Sequence, residues 1–258
     1  MDSIVEEYLS YIGVDYTNDK LNFLDRIVQR HLMVIPFDTI TKILGYNNLI
    51  KAPTYNSDLK DYLKYIKSTG YGGTCFNLTW ALYQLLCKLD YQTSIIHLSE
   101  GHFALVVKVE NYEFYVDVGF MAPMFKLLPL RSTWKVGFKD TVLWKPIGEG
   151  GELRFFSGKY TWSGEFLTLD EFIEHWTKSL NIESKWLNKI LVHKWKDRDT
   201  QLSLYENSLR IIYKDEIIDQ IDNNDERFLD HLNKVLKINP ILYFKAIQVR
   251  DALRKKEG

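Results

Sequence analysis

The stretch GGTCFNLTWALYQLL, residues 72 to 86, places a cysteine directly after two glycines and directly before an amphipathic helix. Behind the cysteine, apolar residues recur at helical spacing at Leu78, Ala81, Leu82, Leu85, Leu86 and Leu89. Thr74 is a suitable N-cap, so Cys75 is predicted to lie in the first turn. The N-terminus of a helix carries unpaired N–H groups and a partial positive charge, which favour a thiolate over a thiol. The pattern therefore indicates either a nucleophilic cysteine or an ordinary buried helix cysteine.

The neighbours of Cys75 bear on this choice. Gly72 and Gly73 lack a Cβ atom and so let the backbone pass close to a substrate. Cys87 lies near the other end of the same predicted helix, where the dipole has the opposite sign, and we interpret it as structural. The chain has only these two cysteines, which are too far apart on one helix to form a disulfide. Free thiols are typical of a reducing cytosol.

Composition limits the classes of partner. The chain has 258 residues and 46% hydrophobic content, enough for a sizeable core. Its 33 basic and 34 acidic residues give a net charge of -1, so nothing drives it toward nucleic acid or anionic lipid. The polar start MDSIVEEYLS resembles no secretion signal, and no apolar stretch is long enough to span a bilayer. We expect a soluble cytoplasmic protein that acts on small molecules.

Hydrophobic periodicity predicts helices in the first third of the chain. A capping box of Ser3 and Glu6 predicts the first helix, and a second helix is expected between Thr17 and Pro36. A third is predicted around residues 59 to 66, followed by the helix after Thr74. Helices first and strands afterwards are typical of an α+β fold.

From residue 90 to about 165 the pattern becomes extended and predicts a mostly antiparallel sheet or small barrel. Thr168 and Glu171 then form a capping box for another helix. The runs ILVHKWK and SLRIIYK are predicted strands, and two closing helices are separated by Asn239 and Pro240. The chain shows no internal repeat.

A nucleophilic cysteine needs a base and a group that orients the base. Four of the six histidines are best explained by packing or surface positions: His31, His175, His193 and His231. His97 and His102 flank the first strands after the cysteine helix, and His102 opens the strand HFALVVKV. In the next strand, FYVDVGF, Asp117 interrupts an apolar alternation. A buried acid requires specific partners, which makes His102 and Asp117 the candidates.

The predicted hairpin allows a crude test of this pair. With Asn111 and Tyr112 as the turn, Asp117 lies opposite Val106, and His102 points to the same face of the sheet. The four-residue offset corresponds to roughly 13 Å along a flat strand. Strong twist or a bulge is then needed to bring the two side chains together.

Five segments follow one another in a specific order: YLSYIGV near the N-terminus, HLMVIPFDTI at 31 to 40, GGTCFNLTWALYQLL at 72 to 86, HFALVV at 102 to 107 and FYVDVGF at 114 to 120. With them the sequence resembles the bacterial arylamine N-acetyltransferases over nearly its whole length. The resemblance implies a helical bundle at 1–88, an antiparallel β-barrel at 89–188 and a C-terminal α/β lid at 189–258. The bundle and barrel together carry a Cys-His-Asp core like that of cysteine proteases.

The resemblance also implies an activity. Cys75 is the expected nucleophile, His102 the base and Asp117 the orienting acid. Acetyl-CoA acylates the cysteine, and an arylamine or arylhydrazine then takes the acetyl group in a ping-pong cycle without a metal.

Four further positions receive roles from the resemblance. Phe37 and Phe120 belong to the acceptor pocket, and Gly101 and Gly119 line the cleft. Two more aromatic residues, Tyr160 and Trp186, are better explained by core packing than by contact with an acceptor.

The sequence departs from the family at grouped positions. The family usually has Arg where Tyr11 and Tyr71 stand, Glu at Asp38, Glu or Gln at Asn77 and glycine at Met121. Three of these, positions 11, 38 and 71, resemble members of an ion network behind the cysteine. A carboxylate without arginine partners can be held by Tyr O–H and backbone donors, though less firmly. We expect Met121 to crowd the path of CoA, and we expect the triad to be intact with a changed rate or acceptor choice.

Other classes of protein share parts of this pattern. A cysteine helix followed by His and Asp strands is also typical of transglutaminase-like and papain-like enzymes, so a cysteine amidase is one alternative. A CoA-binding homologue with little or no activity is another. The basic residues are dispersed, which argues against nucleic-acid binding, and no pair of His or Cys shows the spacing of metal ligands.

Overall fold

The computed structural model describes residues 2–138, 141–181, 184 and 186–257. The helices in this part of the chain are α1 (Ser3–Ile12), α2 (Lys20–Val34), α3 (Ile40–Tyr46), α4 (Leu59–Thr69), α5 (Cys75–Lys88), α6 (Leu169–Ser179), α7 (Phe228–Asp230) and α8 (Pro240–Glu257). A 3-10 turn covers Ser99–Gly101, and a π-helical turn, His231–Leu236, follows α7.

The strands come in three groups along the chain. They are β1 (Phe37–Asp38), β2 (Gln92–Leu98), β3 (His102–Val109), β4 (Tyr112–Val116), β5 (Leu128–Pro129), β6 (Trp134–Val136), β7 (Val142–Ile147), β8 (Gly150–Phe155), β9 (Gly158–Trp162), β10 (Leu191–Trp195), β11 (Thr200–Tyr205), β12 (Ser208–Tyr213) and β13 (Glu216–Asp222).

These strands form three antiparallel sheets, and the fold is α+β as predicted. The strand orders are β2-β3-β4-β5, β6-β7-β8-β9 and β1-β10-β11-β12-β13. The sequence predicted a central barrel, but no ladder among the described residues closes the first two sheets into one. They touch where β2 packs beside β9, and a single bridge joins Ile95 to Leu167. The division of the chain at residues 88 and 188 stays a prediction.

The predicted helix starts hold with one correction. Helix α6 begins behind Thr168, whose backbone N–H donates to Glu171 at 2.8 Å, as the capping box predicts. Helix α1 is capped by Asp2 instead of Ser3, because the Asp2 carboxylate accepts the backbone N–H of Ile4 at 3.2 Å. Ser3 is the first residue inside the helix.

Helix α5 packs against β2 and β3. Its side chains Leu78, Leu82, Leu85 and Leu86 are fully buried. The periodic pattern that predicted this helix therefore marks the face that enters the core. The start of α5 is held in place by the same packing that buries these leucines.

Two elements near the site were absent from the sequence prediction. Strand β1 and helix α3 lie between Pro36 and Pro53, where the sequence predicted neither a helix nor a strand. Strand β1 has two residues and exists because β10 pairs with it, with Phe37 opposite His193. A strand this short carries no periodic signal of its own. It joins the C-terminal sheet to the segment that precedes the cysteine helix.

Candidate active site

Cys75 is the first residue of α5, as predicted, and its side chain is nearly covered at 8% exposure. The backbone N–H of Thr74 donates to the side-chain oxygen of Asn77 at 3.1 Å. The amide nitrogen of Asn77 donates to the carbonyl of Pro53 at 2.9 Å, which fixes that side chain. Asparagine thus completes the helix start at a position where the resemblance implies Glu or Gln. The first turn around Cys75 is rigidly held.

Asp38 holds the glycine loop that leads to the cysteine. The N–H of Gly73, whose φ is +92°, donates to Asp38 Oδ2 at 2.5 Å. The N–H of Asp38 donates back to the carbonyl of Gly73 at 2.8 Å, and Thr41 N–H donates to Asp38 Oδ1 at 2.7 Å. Burial raises the pKa of Asp38 to about 6, and these donors oppose the rise. The carboxylate is therefore ionised at neutral pH and anchors the loop.

Neither of the tyrosines expected to support Asp38 is among the groups that hydrogen-bond its carboxylate. Tyr71 donates its hydroxyl to the carbonyl of Asn239 at 2.9 Å, and the ring of Tyr11 is only half-buried. Asp38 accepts instead from Thr41 and the glycine loop. The expectation that phenols replace the arginines as donors to this carboxylate is therefore wrong. The phenol of Tyr71 ties the loop to the C-terminal segment instead.

The β3–β4 hairpin differs from its prediction by one turn position. Its turn is Glu110 and Asn111, so Leu105 pairs with Val116. Continuing this register places Asp117 two residues from the position opposite His102, roughly 7 Å instead of 13 Å along the strand. His102 Nε2 lies 2.6 Å from Asp117 Oδ2. No bulge is required, and the predicted difficulty came from the turn assignment.

Asp117 is buried with every oxygen engaged. Its Oδ2 also accepts the hydroxyl of Tyr115 at 2.7 Å. Its Oδ1 accepts the backbone N–H groups of Gly119 and Phe120, both at 2.9 Å. A buried carboxylate is tolerable only with such partners, and here they fix it in one orientation. Asp117 therefore holds His102 from a rigid position.

His102 is buried between aromatic rings and charged groups. Tyr160 stacks on it with ring centroids 5.1 Å apart, and Phe120 meets it edge-on at 5.6 Å. Burial lowers the pKa of His102, but the charge and hydrogen bond of Asp117, followed by the interaction with Cys75, outweigh it and raise the pKa to about 10. At neutral pH the ring keeps its proton. Since Nε2 is taken by Asp117, Nδ1 is the nitrogen left for the cysteine.

The two predicted cleft glycines lie beside the thiol. Cys75 Sγ is 3.9 Å from the carbonyl oxygen of Gly101, which has φ +73° and open space on its Cα. Gly119 packs against the cysteine so closely that an added Cβ would lie 2.7 Å from Cys75 Cβ and 2.8 Å from its Cα. Glycine is required at 119 by contact with backbone that cannot move aside.

Gly119→Ala is expected to lower the free energy of unfolding by about 1–3 kcal/mol, because the new methyl group overpacks the helix start. Urea unfolding of the variant measures this. Gly158→Ala in β9 is the matched control, since its Cβ would meet only ordinary contacts at 3.7 Å. Equal stability of the two variants would contradict the close approach at Gly119.

A cavity of about 390 Å³ opens onto Cys75. Phe76, Phe103 and Trp186 contribute aromatic surface, and Gly101 lies at its edge. Phe37 packs behind this wall, with its ring 5.7 Å from that of Trp186.

The other predicted acceptor residue lies on the His102 side of the thiol. There the Phe120 ring clusters with Phe155 and Tyr160 at 5.3 Å and 5.9 Å. Aromatic surface thus surrounds the thiol on both sides.

Four residues of the site were missed or misjudged from the sequence. Tyr115 was expected only as a strand residue. Tyr160 and Trp186 were assigned to core packing, although Tyr160 stacks on His102 and Trp186 lines the cavity. Lys42 lines the cavity from helix α3. Its signal was available, since a lysine inside the apolar run IPFDTITKIL conflicts with the local pattern.

The described residues show neither a cluster of metal ligands nor a membrane-spanning helix. No group of three or more His, Cys, Asp or Glu among them could hold a metal ion. None of the helices in the described ranges is long and apolar enough to cross a membrane. Cys75 and Cys87 are both free thiols, and Cys87 is exposed.

The site defines a class: an α+β protein with a buried cysteine at a helix start, a buried histidine that opens a strand and a buried aspartate that follows the next strand. No protein-family model and no curated protein sequence matches the chain. Solved structures do. Arylamine N-acetyltransferase from Salmonella typhimurium superposes with a TM-score of 0.80 at 14% identity, over 96% of this chain and 99% of that one.

Two further structures give the same result. The Mycobacterium marinum arylamine N-acetyltransferase in complex with CoA has a TM-score of 0.73 and 17% identity, over 96% of this chain and 97% of that one. The Bacillus cereus arylamine N-acetyltransferase, described as having a Cys-His-Glu triad, has a TM-score of 0.73 and 16% identity, over 93% and 100%. The chain therefore has the fold of the bacterial arylamine N-acetyltransferases, as the sequence resemblance implied.

Proposed function

We propose that the protein is an acetyl-CoA-dependent N-acetyltransferase that acetylates arylamines or arylhydrazines through an acetyl-cysteine. The supporting observation is the placement of Cys75 at a helix start, where it interacts with His102, whose Nε2 lies 2.6 Å from Asp117 Oδ2. This arrangement lies within the fold of known arylamine N-acetyltransferases, one of them solved with CoA.

The first half-reaction uses the protonated His102. The Cys75 thiolate attacks the thioester carbonyl carbon of acetyl-CoA, and a new C–S bond to Cys75 forms. The bond to the sulfur of CoA breaks, and the departing sulfur takes the proton from His102 Nδ1. The products are free CoA, an acetyl-cysteine and a neutral imidazole. Cys75 and His102 are both buried, at 8% and 6% exposure.

The second half-reaction restores the starting state. The amine nitrogen of the acceptor attacks the acetyl-cysteine carbonyl and gives a proton to His102 Nδ1. The N–C bond forms, the C–S bond breaks, and Cys75 leaves as a thiolate beside the renewed imidazolium. The aromatic surface of Phe120 and Trp186 suits a planar acceptor.

The alternatives differ in what they explain. A transglutaminase-like or papain-like amidase accounts for the Cys, His and Asp but not for a likeness to the acetyltransferases that spans 93–98% of the chain. A CoA-binding homologue with little activity shares the fold and is separated from the proposal by the test below.

The test is to incubate the protein with acetyl-CoA and no acceptor and to measure the mass of the intact chain. We expect one acetyl group on the native protein and on Cys87→Ala, and none on Cys75→Ala. Cys87 is the matched control because it is the other free thiol of the same helix. An unmodified native chain that still binds CoA would favour the inactive homologue, and acetylation of Cys75→Ala would remove Cys75 from the mechanism.

A further inference from the structure

Lys42 is a buried lysine in the cavity that contains the reactive cysteine. It lies in α3, is 8% exposed and lines the same 390 Å³ cavity as Cys75. Lysine is almost never this buried unless an acid pairs with it. Burial of this ammonium group therefore costs free energy of desolvation at the site where substrates would bind.

The ammonium group of Lys42 has only a neutral partner in the described chain. Its Nζ donates to the hydroxyl of Ser184 at 3.0 Å, and no carboxylate among the described residues forms an ion pair with it. Burial lowers the pKa of Lys42 to about 8, and the charge of Cys75 opposes this effect. Within the described part of the chain, Lys42 thus combines desolvation with the lack of a carboxylate partner.

The other charged groups of the cavity do not supply such a partner. Glu100, His175 and Lys178 also line it. Lys178 is largely exposed and already bonded to Glu174 at 2.5 Å. Glu100 does not approach Lys42 within ion-pair distance. Apart from the sulfur of Cys75, no described residue of the cavity offers Lys42 an anionic partner, so a ligand anion is the group that can pair with it.

We propose that Lys42 binds a substrate carboxylate, so that the enzyme prefers carboxylate-bearing substrates over neutral ones. The inference rests on the proposed function, because it treats the cavity as the place where acceptor and acyl group meet. One ammonium and one hydroxyl match a single-charged carboxylate. A phosphate would call for more donors than these two. The aromatic walls of Phe76, Phe103 and Trp186 suit an arene that carries the carboxylate.

The carboxylate has two sources. It belongs either to the aromatic acceptor or to a dicarboxylic acyl group carried on Cys75. Both place the same anion in the cavity lined by Lys42 and the thiol. The chemistry of recognition is shared, and two arms of one experiment separate the sources.

The first arm measures binding without turnover. Dissociation constants of 4-aminobenzoate and 4-aminobenzamide are determined by calorimetry, since the two ligands differ mainly in the charge of the carboxyl group. If the acceptor is the source, the native protein prefers the carboxylate by about tenfold or more, the range of a charge-assisted hydrogen bond. Lys42→Met and Lys42→Gln lose this preference. Lys178→Met, which removes a paired and exposed charge from the same cavity, keeps it.

The second arm compares acyl donors. The rate at which the chain gains mass is measured with succinyl-CoA and with butyryl-CoA, which share chain length but differ in the terminal carboxylate. If the acyl group is the source, native protein favours succinyl-CoA by about tenfold or more, and both Lys42 variants lose the preference. Using two substitutions guards against one that fails to fold, and Lys42→Gln keeps a donor for Ser184.

The results separate the two proposals. A carboxylate preference in neither arm, or one that persists in both Lys42 variants, overturns the role of Lys42. If no thioester acylates Cys75, the proposed function fails, while the calorimetric arm still decides whether Lys42 binds a carboxylate. Loss of the preference in the Lys42 variants alone supports the inference.

Discussion

Asp117→Asn is expected to slow acetylation of Cys75 by roughly 10³–10⁴-fold, close to the loss known for the equivalent change in a serine protease. The asparagine keeps the size of the side chain and can still accept the N–H groups of Gly119 and Phe120 through its oxygen. Its NH₂ group then faces His102 Nε2 and the hydroxyl of Tyr115. The NH₂ group is only a donor, so it cannot accept the hydrogen bond that His102 Nε2 now donates.

The consequence is a change of tautomer. To accept from the amide, Nε2 must lose its proton, and the remaining N–H moves to Nδ1, which faces Cys75. A neutral ring in this state cannot take the cysteine proton. The pKa of His102 also falls, because burial lowers it and the carboxylate that raises it to about 10 is gone.

Quenched-flow mass spectrometry with acetyl-CoA measures the rate, and nuclear magnetic resonance of the imidazole measures the pKa. Tyr115→Phe is the control, since it removes one hydrogen bond to the same carboxylate but leaves its charge. We expect Tyr115→Phe to stay within about tenfold of the native rate. An Asp117→Asn protein that is folded and acetylates as fast as Tyr115→Phe would refute the orienting role.

His102→Gln is expected to slow acetylation of Cys75 by roughly 10³-fold or more, because the thiol loses both its proton acceptor and the adjacent positive charge. Alkylation by iodoacetamide gives a readout that needs no CoA. The variant should lose most of its reactivity at residue 75, while Cys87 reacts as before and serves as a reference within the same chain.

The same variant has a defined effect on stability. The pKa of His102 is raised from an ordinary 6.5 to about 10 in the folded protein, so the folded state binds the proton more tightly. This stabilisation is complete below pH 6.5 and is lost as pH rises to about 10. Urea unfolding should therefore show the largest deficit of His102→Gln at the acidic end of this range. A deficit that grows with pH, or native alkylation kinetics, would contradict the assigned protonation.

The sequence could predict features that depend on local chemistry. The start of α5 follows from Thr74 and the apolar stripe behind Cys75. The requirement for a partner at Asp117 follows from the cost of burying a carboxylate. Such features need only a few neighbouring residues, so they are visible in a linear pattern.

Features that depend on distant or unusual contacts could not be predicted. The hairpin turn places Glu110 at φ +55°, a conformation rare for this residue, so the turn was assigned one position too late. The orientation of Tyr71 depends on a carbonyl far along the chain, at Asn239. For Lys42 the sequence contains a local conflict of pattern, but its burial beside Cys75 is a property of the folded chain.

The pairing of β1 with β10 determines when the glycine loop that leads to Cys75 can be fixed during synthesis. Asp38 holds that loop, and Asp38 itself pairs with Val192 of β10. The hydroxyl of the neighbouring Thr39 donates to the carbonyl oxygen of Lys189, 150 positions later in the chain. When synthesis has reached the end of β9, the nascent chain contains Cys75, His102 and Asp117. It does not yet contain β10, the strand that pairs with Asp38. Closing so long a loop is slow compared with local folding. The loop before Cys75 therefore gains these contacts only after residues 189–195 have been synthesised.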